Sequence, residues 1–338
     1  MNKKTTIYDI AKKLDITAAT VSRALNDNPK ISKSTRELVK KVALEMNYKQ
    51  NKVAKALKSG KSYNIGVIIP QIDRNFFSSV IRGIEEEVSK LGYHVIICQT
   101  HEDVMVERES IDTLINAQVD GILLSTTSKS DKLSFSKIIK KGIPLVFFDR
   151  RIKIRGVSSV TINDFEAGYK STKHLIEMGY KRIAHLRGDY SVEIFKQRYL
   201  GYKQAIIDAG LELREEYIIQ TKSDLDAGVK AAKTLLKLKN RPDAIFSSSD
   251  FAAIGALKEI NSQGIKIPED IGIVGFSNEP FTKFLELSMS TVDQSPIKMG
   301  KIAAKVLMEQ MSSDANTKTE KNVDLEPELI IRKSSSKN

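Results

Sequence analysis

The sequence is short of several residue types, and each shortage excludes something. Its 338 residues include one cysteine and four histidines. A lone cysteine forms no intrachain disulfide and no cysteine-cluster metal site, and it fits a reducing compartment. In a strand context Cys98 reads as a small apolar residue rather than a nucleophile. His94, His101, His174 and His185 are dispersed, without metal-ligand spacing. No stretch reaches the ~18 consecutive apolar residues of a membrane-spanning helix. The start, Met1-Asn2-Lys3-Lys4, is basic, but no apolar segment follows, so a cytoplasmic chain without a secretory leader is expected. Gly-x-Gly-x-x-Gly, Gly-x-Ser-x-Gly and His-Glu-x-x-His are all absent. Gly60-Lys61-Ser62 imitates the end of a phosphate-binding loop. However, Lys55 stands where the first glycine belongs, and an apolar strand follows instead of a helix. Neither catalysis nor a metal or cofactor is expected.

Acidic residues run short in one region only. Residues 1–62 carry 15 Lys and Arg against 5 Asp and Glu, a net +10. The other 276 residues carry 39 against 37, a net +2. A basic module is therefore joined to a nearly neutral body, within a length that suits about two or three domains. Such blocks bind nucleic acid or anionic membrane surfaces, or simply stay solvated. The pattern inside the block has to choose among these.

Thr6-Ile7-Tyr8-Asp9 has the form of a capping box, in which hydroxyl and carboxylate satisfy each other's backbone amides. Ile10, Ala11 and Leu14 then share one helical face. After a break at Asp15-Ile16, Thr17 can cap a second helix over 18–26, with Val21, Ala24 and Leu25 inward. Asn26-Asp27-Asn28-Pro29 signals a turn. Ser32 opens a third helix over 33–46, with Leu38, Val39, Val42, Ala43 and Met46 expected inward. Two short helices across a tight break, backed by a third, follow the helix-turn-helix plan, whose second helix can enter a major groove. Spacing alone leaves a protein-binding three-helix bundle open; the basic charge favours DNA.

These residues also carry a resemblance. Thr6-Ile7-Tyr8-Asp9-Ile10-Ala11, the string Ile16-Thr17-Ala18-Ala19-Thr20-Val21-Ser22-Arg23-Ala24-Leu25-Asn26, and Asn47-Tyr48 resemble the headpiece of the LacI/GalR family of bacterial transcription regulators. Asp15 departs from the glycine common in the family's turn, though Asp tolerates left-handed backbone better than most residues. The resemblance implies a DNA-facing set of Thr6, Tyr8, Thr17, Ala18, Ala19, Thr20, Ser22, Arg23, Asn26 and Tyr48. Alanine at the first two reading positions offers only methyl contacts. Readout is therefore expected to rest on apolar contact, Arg23 and DNA shape. A phosphate contact alone is the other reading of Arg23.

Residues 49–61 form a linker. Asn51 can cap a helix over 52–58, and Gly60 can end it. Two turns are marginal in water by themselves, so folding is expected only against a partner; a flexible tether is the alternative. Lys52, Lys55 and Lys58 recur every third residue beside the apolar Val53, Ala54, Ala56 and Leu57. The segment resembles the family's hinge helix. That implies DNA contacts from Asn51, Lys52, Val53, Ala54, Lys55, Leu57 and Lys58, with Leu57 wedged into a minor-groove base step.

From Asn64 onward, apolar strands alternate with helical segments. Strands are predicted at 65–69, 95–99, 121–125, 145–149, 157–162, 183–186, 218–220, 244–248 and 271–276. Helices are predicted at 76–91, 104–117, 165–178, 192–209, 227–236, 251–263 and 296–311. Such alternation implies parallel sheets covered by helices on both faces. Leu91-Gly92-Tyr93 and Met178-Gly179-Tyr180 echo each other at a helix-to-strand passage, which agrees with two similar subdomains. The family resemblance continues through Val119-Asp120-Gly121-Ile122, Pro144-Leu145-Val146-Phe147-Phe148-Asp149 and Ile271-Gly272-Ile273-Val274-Gly275-Phe276. It implies a periplasmic-binding-protein-like body of two parallel-sheet α/β subdomains with a small-molecule effector in the cleft. Open α/β sheets bind ligands beyond their strand carboxyl ends, which agrees independently.

The expected organisation is a helix-turn-helix headpiece (1–48), a hinge (49–61) and a body (62–338). In the body, 62–162 and 293–321 are assigned to one subdomain, 163–292 and 322–332 to the other, and 333–338 to a flexible tail. The strand-end argument and the resemblance together give the candidate effector contacts Phe76, Phe77, Asp149, Asn163, Arg198, Asp250, Ser277 and Asn278; Arg198 is implied by the resemblance alone, with a surface arginine as its other reading. Ordinary packing is an equal reading for the two phenylalanines. Ser277 stands where many sugar-binding members carry Asp, so a familiar sugar is not assumed. Arg150, Arg151, Lys153 and Arg155 form either a solvated loop or an anion-favouring cluster. The expected function is a dimeric regulator, of repressor type, that binds a pseudo-palindromic DNA operator under control of a sugar or related metabolite. A transport-type binding protein and an α/β enzyme with a DNA-binding appendage are the rival readings.

Overall fold

The computed structural model describes residues 5–48, 60–312 and 319–337. Contacts divide the chain into two units, Met1–Ser62 and Tyr63–Asn338.

The first unit contains α1 (Ile7–Leu14), α2 (Ala18–Leu25) and α3 (Lys33–Glu45). Each start is fixed by its own side chain. The Thr6 hydroxyl and Asp9 carboxylate complete the capping box, while Thr17 and Ser32 accept from the amides of Thr20 and Thr35. Asp15 ends α1 in the left-handed region at φ 52°, a conformation that Asp adopts at modest cost. Ile10, Val21, Ala24 and Val39 are fully buried and form the core of the unit. Leu38 corrects an expectation: it is 50% exposed. The buried face of α3 runs through Val39, Val42 and Ala43, so position 38 points to its flank.

The second unit holds two parallel sheets. The first has the order β11-β5-β4-β3-β1-β2, with β1 Asn64–Ile69, β2 His94–Gln99, β3 Gly121–Leu124, β4 Leu145–Phe148, β5 Ser158–Ile162 and β11 Asn322–Leu325. The second has the order β7-β6-β8-β9, with β6 Ile183–Arg187, β7 Ile218–Gln220, β8 Ala244–Ser247 and β9 Gly272–Val274. An antiparallel ribbon joins β10 (Thr291–Asp293) to β12 (Glu328–Ile330). The central strands are buried on both faces, as helix-covered parallel strands must be. The repeated Gly-Tyr junctions behave alike. Gly92 and Gly179 take φ of +77° and +86°, and the tyrosines that follow are buried.

Neighbouring helices pack directly against each other through reciprocal glycines. A Cβ on Gly168 would lie 2.1 Å from the Arg198 carbonyl oxygen, and one on Gly201 would lie 2.0 Å from that of Phe165. Gly83 with Gly300, and Gly228 with Gly255, repeat the arrangement at 2.1–2.2 Å from facing carbonyls. Mid-helix glycine costs roughly 1 kcal/mol against alanine, and here it is offset by direct backbone approach.

Two boundary expectations need correction. The segment 322–332 is expected in the second subdomain, yet β11 pairs in parallel with β5 as the edge of the first sheet. The segment 333–338 is expected to be a flexible tail, yet Ser334 and Ser335 are fully buried. The Ser334 carbonyl accepts from Ile273 N at 2.8 Å, and its hydroxyl donates to the Ile273 carbonyl at 2.6 Å. The tail thus satisfies the open edge of β9, an edge that otherwise presents unpaired backbone groups.

Candidate functional site

In the first unit the faces of α2 separate cleanly. Val21 and Ala24 are buried, while Ala19, Arg23 and Asn26 are exposed and Ala18, Thr20 and Ser22 half-exposed. Arg23 has no ion-pair partner among the described residues, so its guanidinium is available to an external acceptor. Some candidates are already engaged. The Thr17 hydroxyl bonds Thr20 N at 3.1 Å, and Asn26 Nδ2 donates to the Ser22 carbonyl at 2.7 Å. Tyr8 is 71% exposed, Thr6 is exposed and Tyr48 is half-buried. The hinge candidates Asn51, Lys52, Val53, Ala54, Lys55, Leu57 and Lys58 lie outside the described residues.

In the second unit a cavity of about 500 Å³ opens where the carboxyl ends of both sheets face each other. Of the candidate effector contacts, Phe76, Phe77, Asp149, Arg198 and Ser277 line it. Phe76 and Phe77 begin the helix Asn75–Val88 after β1 and sit edge to face with centroids 5.0 Å apart. Both are buried and both border the cavity, so packing and lining are the same act here. Asp149 follows β4 at φ 60° and accepts from the Ser125 hydroxyl at 3.0 Å. Burial raises its pKa even though Arg150 and Arg198 lower it.

Arg198 is the most constrained of the set. The Gly168–Gly201 crossing brings helix Glu193–Asp208 against helix Asp164–Glu177. Arg198 Nε then donates to Asp164 Oδ1 at 2.7 Å, and Nη1 donates to the Ser248 carbonyl at 3.1 Å. Its guanidinium lies 3.5 Å from the Phe276 ring centroid. This is a fixed donor group, 3% exposed, aimed from one wall of the cleft. Burial pushes the Asp164 carboxyl up to about 6, with Arg198 opposing that shift.

Three candidates, Asn163, Asp250 and Asn278, do not line the cavity. Asn163 caps helix Asp164–Glu177 and accepts from Glu166 N at 3.0 Å. Asn278 is tied down by Asp293 at 2.7 Å and by Arg332 at 2.8 Å. Asp250 is 1% exposed and accepts from the Thr291 hydroxyl at 2.7 Å and from Glu279 N at 2.8 Å. Asn278 and Asp250 therefore shape the 275–279 loop, in which Ser277 holds the unusual φ of 115°.

Burial pushes the pKa of Asp250 up to about 7. A carboxyl raised above its ordinary value favours folding at low pH and loses that contribution as pH climbs through the raised value. Asp250→Asn keeps the shape and removes the titration. The stability of the wild type relative to this variant should therefore drop between about pH 4 and about pH 8, by as much as a few kcal/mol at ~1.4 kcal/mol per pKa unit. Urea denaturation of both proteins at each pH checks this, and a pH-independent difference contradicts it.

The sequence did not single out Arg74, Phe195, Phe251, Phe276 or Gln294, all of which line the cavity. The phenylalanines follow strands or open helices, the same signal that found Phe76 and Phe77. Three polar atoms of lining residues are buried without a hydrogen-bond partner: Glu102 Oε2, Arg150 Nε and Gln294 Oε1. Lining residues Glu102, Asp149, Ser223 and Ser277 also take positive φ, and such local strain gathers at ligand sites. Aromatic faces with scattered donors and acceptors suit a polar ring compound.

Of the histidines, His185 stacks on Phe246 with centroids 4.8 Å apart, and burial drives its pKa down to about 3, so it is neutral. Among the described residues no cluster of His, Cys, Asp or Glu could hold a metal ion, and no helix is long and apolar enough to cross a membrane.

A helix-turn-helix unit and a two-subdomain α/β body with a lined cleft define a class of ligand-responsive DNA-binding regulators. Residues 6–51 match the family of bacterial regulatory proteins, lacI family. Residues 62–332 match the periplasmic binding proteins and sugar binding domain of the LacI family. The chain belongs to the LacI family. It is 34% identical to the HTH-type transcriptional regulator DegA of Bacillus subtilis (strain 168), over 98% of each chain. It is also 34% identical to catabolite control protein A of Staphylococcus xylosus, over 96% of each. A transcriptional regulator CelR–cellobiose complex matches at TM-score 0.75 and 26% identity, covering 98% of this chain and 100% of that one. The lac repressor dimer bound to operator and an anti-inducer shares the fold at TM-score 0.88 and 22% identity, covering 99% and 100%.

Proposed function

We propose that the chain is a dimeric transcriptional repressor that binds a pseudo-palindromic operator and is controlled by a sugar or related metabolite in the body cleft. The carrying observation is one chain that holds both an exposed α2 reading face and a cleft with a fixed, buried Arg198 donor. Relatives named as regulators and repressors support the role, and the CelR–cellobiose complex supports a sugar-like ligand class. Dimerisation matches the two-fold symmetry of such operators. The open edge of β2, with Ile97 41% exposed, offers apolar surface to a second copy. DNA contacts are assigned to the α2 face around Ala18, Ala19, Thr20, Ser22 and Arg23, and to the hinge with Leu57. Effector contacts are assigned to Phe76, Phe77, Asp149, Arg198 and Ser277. The role is regulatory and not enzymatic, and the setting is the cytoplasm.

Selection of duplexes from a random pool with the purified chain tests this reading. An enriched motif of two inverted half-sites is expected, with affinity falling steeply as salt rises because phosphate contacts release counterions. Screening sugars, sugar acids and nucleosides by thermal shift should then find one class that also changes operator affinity by about tenfold or more. A pool without an enriched motif contradicts the reading.

A further inference from the structure

The basic run Arg150, Arg151, Lys153 and Arg155 reads in the sequence as a solvated loop or an anion-favouring cluster, and the structure divides it. Arg150 belongs to the cleft, where it bonds Glu102 at 2.7 Å. Arg151, Lys153 and Arg155 line a second cavity, of about 380 Å³, that shares no lining residue with the first. It lies at the outer edge of the first sheet, between the segment joining β4 to β5 and the edge strand β11. This is the edge opposite β2.

The cavity has local causes. In Arg151-Ile152-Lys153-Ile154-Arg155 basic and apolar residues alternate. Ile152, Ile154 and Val157 pack onto the core cluster that contains Phe147, while Lys153 and Arg155 stay exposed. Successive side chains of a strand point to opposite faces. The Ser158 hydroxyl accepts from Gln310 Nε2 at 2.6 Å, on the face covered by helix Pro296–Ser312. Ser159 faces the other way, into the cavity, and is 1% exposed. Strands of a helix-covered parallel sheet ordinarily carry apolar residues on both faces, so this buried serine puts a polar floor where an apolar one is the rule. Its hydroxyl donates to Asn322 Oδ1 at 2.7 Å and accepts from Arg151 Nη1 at 2.6 Å. Arg151 is thus held by one nitrogen, and among the described residues its other N–H groups have no partner.

The charge around the cavity is unbalanced. Among the described residues the ion pairs of this segment belong to Arg150, with Glu102 and Asp149. Glu320 is the one carboxylate among the described lining residues. Neutral donors occupy it, Gly156 N on Oε2 and Asn322 Nδ2 on Oε1, each at 2.8 Å. Three cations against one carboxylate leave a net +2.

We propose that this cavity is a second ligand site, separate from the cleft, and that it takes a phosphate monoester with an apolar body. The doubly charged head matches the net +2. A fixed arginine with free N–H groups offers the planar fork that suits phosphate oxygens. Ile152, Ile154 and Val157 form the apolar wall that suits the body. A carboxylate would match only half of the charge.

Phenyl phosphate is the probe, titrated calorimetrically into the full chain at low salt and about pH 8, where a phosphate monoester is doubly ionised. It should bind about tenfold or more tightly than benzoate or inorganic phosphate, each of which lacks part of the match. Affinity should fall as pH drops through about 6, where the monoester takes up a proton. Charge reversal at the two exposed positions, Lys153→Glu/Arg155→Glu, spares the packing and should weaken binding about tenfold or more. Lys222→Ala removes an exposed cation of the cleft and should leave binding unchanged. Absence of binding to the wild type overturns the proposal. So does binding that survives the charge reversal, or that Lys222→Ala abolishes, since the probe would then sit in the cleft. Binding of an acidic peptide with none of phenyl phosphate would mean a protein partner and overturns it as well. Neither operator nor cleft ligand enters the measurement, so the regulator reading stands or falls separately.

Discussion

Replacing Arg198 with alanine is expected to destabilise the body by about 3–5 kcal/mol at neutral pH, because breaking a buried ion pair leaves an uncompensated charge. The side chains of Arg198 and Asp164 are only 4% and 6% exposed, and their contact is 2.7 Å. Asp164 already has its pKa lifted to about 6 with the guanidinium beside it. Without Arg198 that value moves further up. A carboxyl raised above its unfolded value contributes stability below that value and loses it as pH climbs through the raised one. The destabilisation should thus be smaller at about pH 5, where the carboxyl can protonate, than at about pH 8. The same substitution removes the fixed donor from the cleft and should abolish effector-induced thermal shifts. Arg198→Lys retains a charge but loses the planar stack on Phe276, so it should keep part of the stability and little of the ligand affinity. Urea denaturation at the two pH values, with a ligand shift assay, reads all of this. Unchanged stability in Arg198→Ala would mean that the buried pair does not hold the cleft wall.

Gly201→Ala is the second large effect. The added Cβ would lie 2.0 Å from the Phe165 carbonyl oxygen and 2.6 Å from Tyr169 N, both backbone atoms that cannot swing away. The two helices must separate, at an expected cost of about 3 kcal/mol or more. Because the crossing sets Arg198 against Asp164, effector affinity should fall with it. Gly210→Ala is the control. Gly210 has φ +65° and nothing within 4 Å of the place a methyl would take, so only the left-handed conformation is penalised, by roughly 1–2 kcal/mol. Denaturation midpoints of the two variants compare the effects. Equal losses would mean that the glycine crossing does not set the helix geometry.

The local chemistry of the chain was readable where one residue type settles one contact. Thr6, Thr17 and Ser32 cap their helices, and Asp15 takes the left-handed turn. Most strand and helix positions in the body followed from the alternation of apolar strands with helical segments, but the short strands Thr291–Asp293, Asn322–Leu325 and Glu328–Ile330 were not predicted. Asp149 was readable as the end of a strand, whereas Arg198 and Ser277 came from the family resemblance; all three line the cavity. Contacts made across long sequence separations were not readable. Asp250 and Asn278 resemble ligand residues, yet Thr291, Asp293 and Arg332 claim their side chains. Ser334 and Ser335 look like a polar tail, yet the Ser334 hydroxyl satisfies the β9 edge and the Ser335 hydroxyl is bonded to Ser290 and His174. The glycines inside predicted helices carry a signal of their own. Gly83, Gly168, Gly201, Gly228, Gly255 and Gly300 each mark a close crossing.

A regulator of this kind couples its cleft to its operator, and coupling is reciprocal: whatever factor the effector imposes on operator affinity, the operator imposes on effector affinity. The most direct measurement is calorimetric titration of a cleft ligand into the full chain, once alone and once saturated with its selected operator. The two dissociation constants should differ by about tenfold or more, by the same factor seen in operator binding, and Arg198→Ala should remove the ligand signal in both. Identical ligand affinity with and without operator would contradict the coupling.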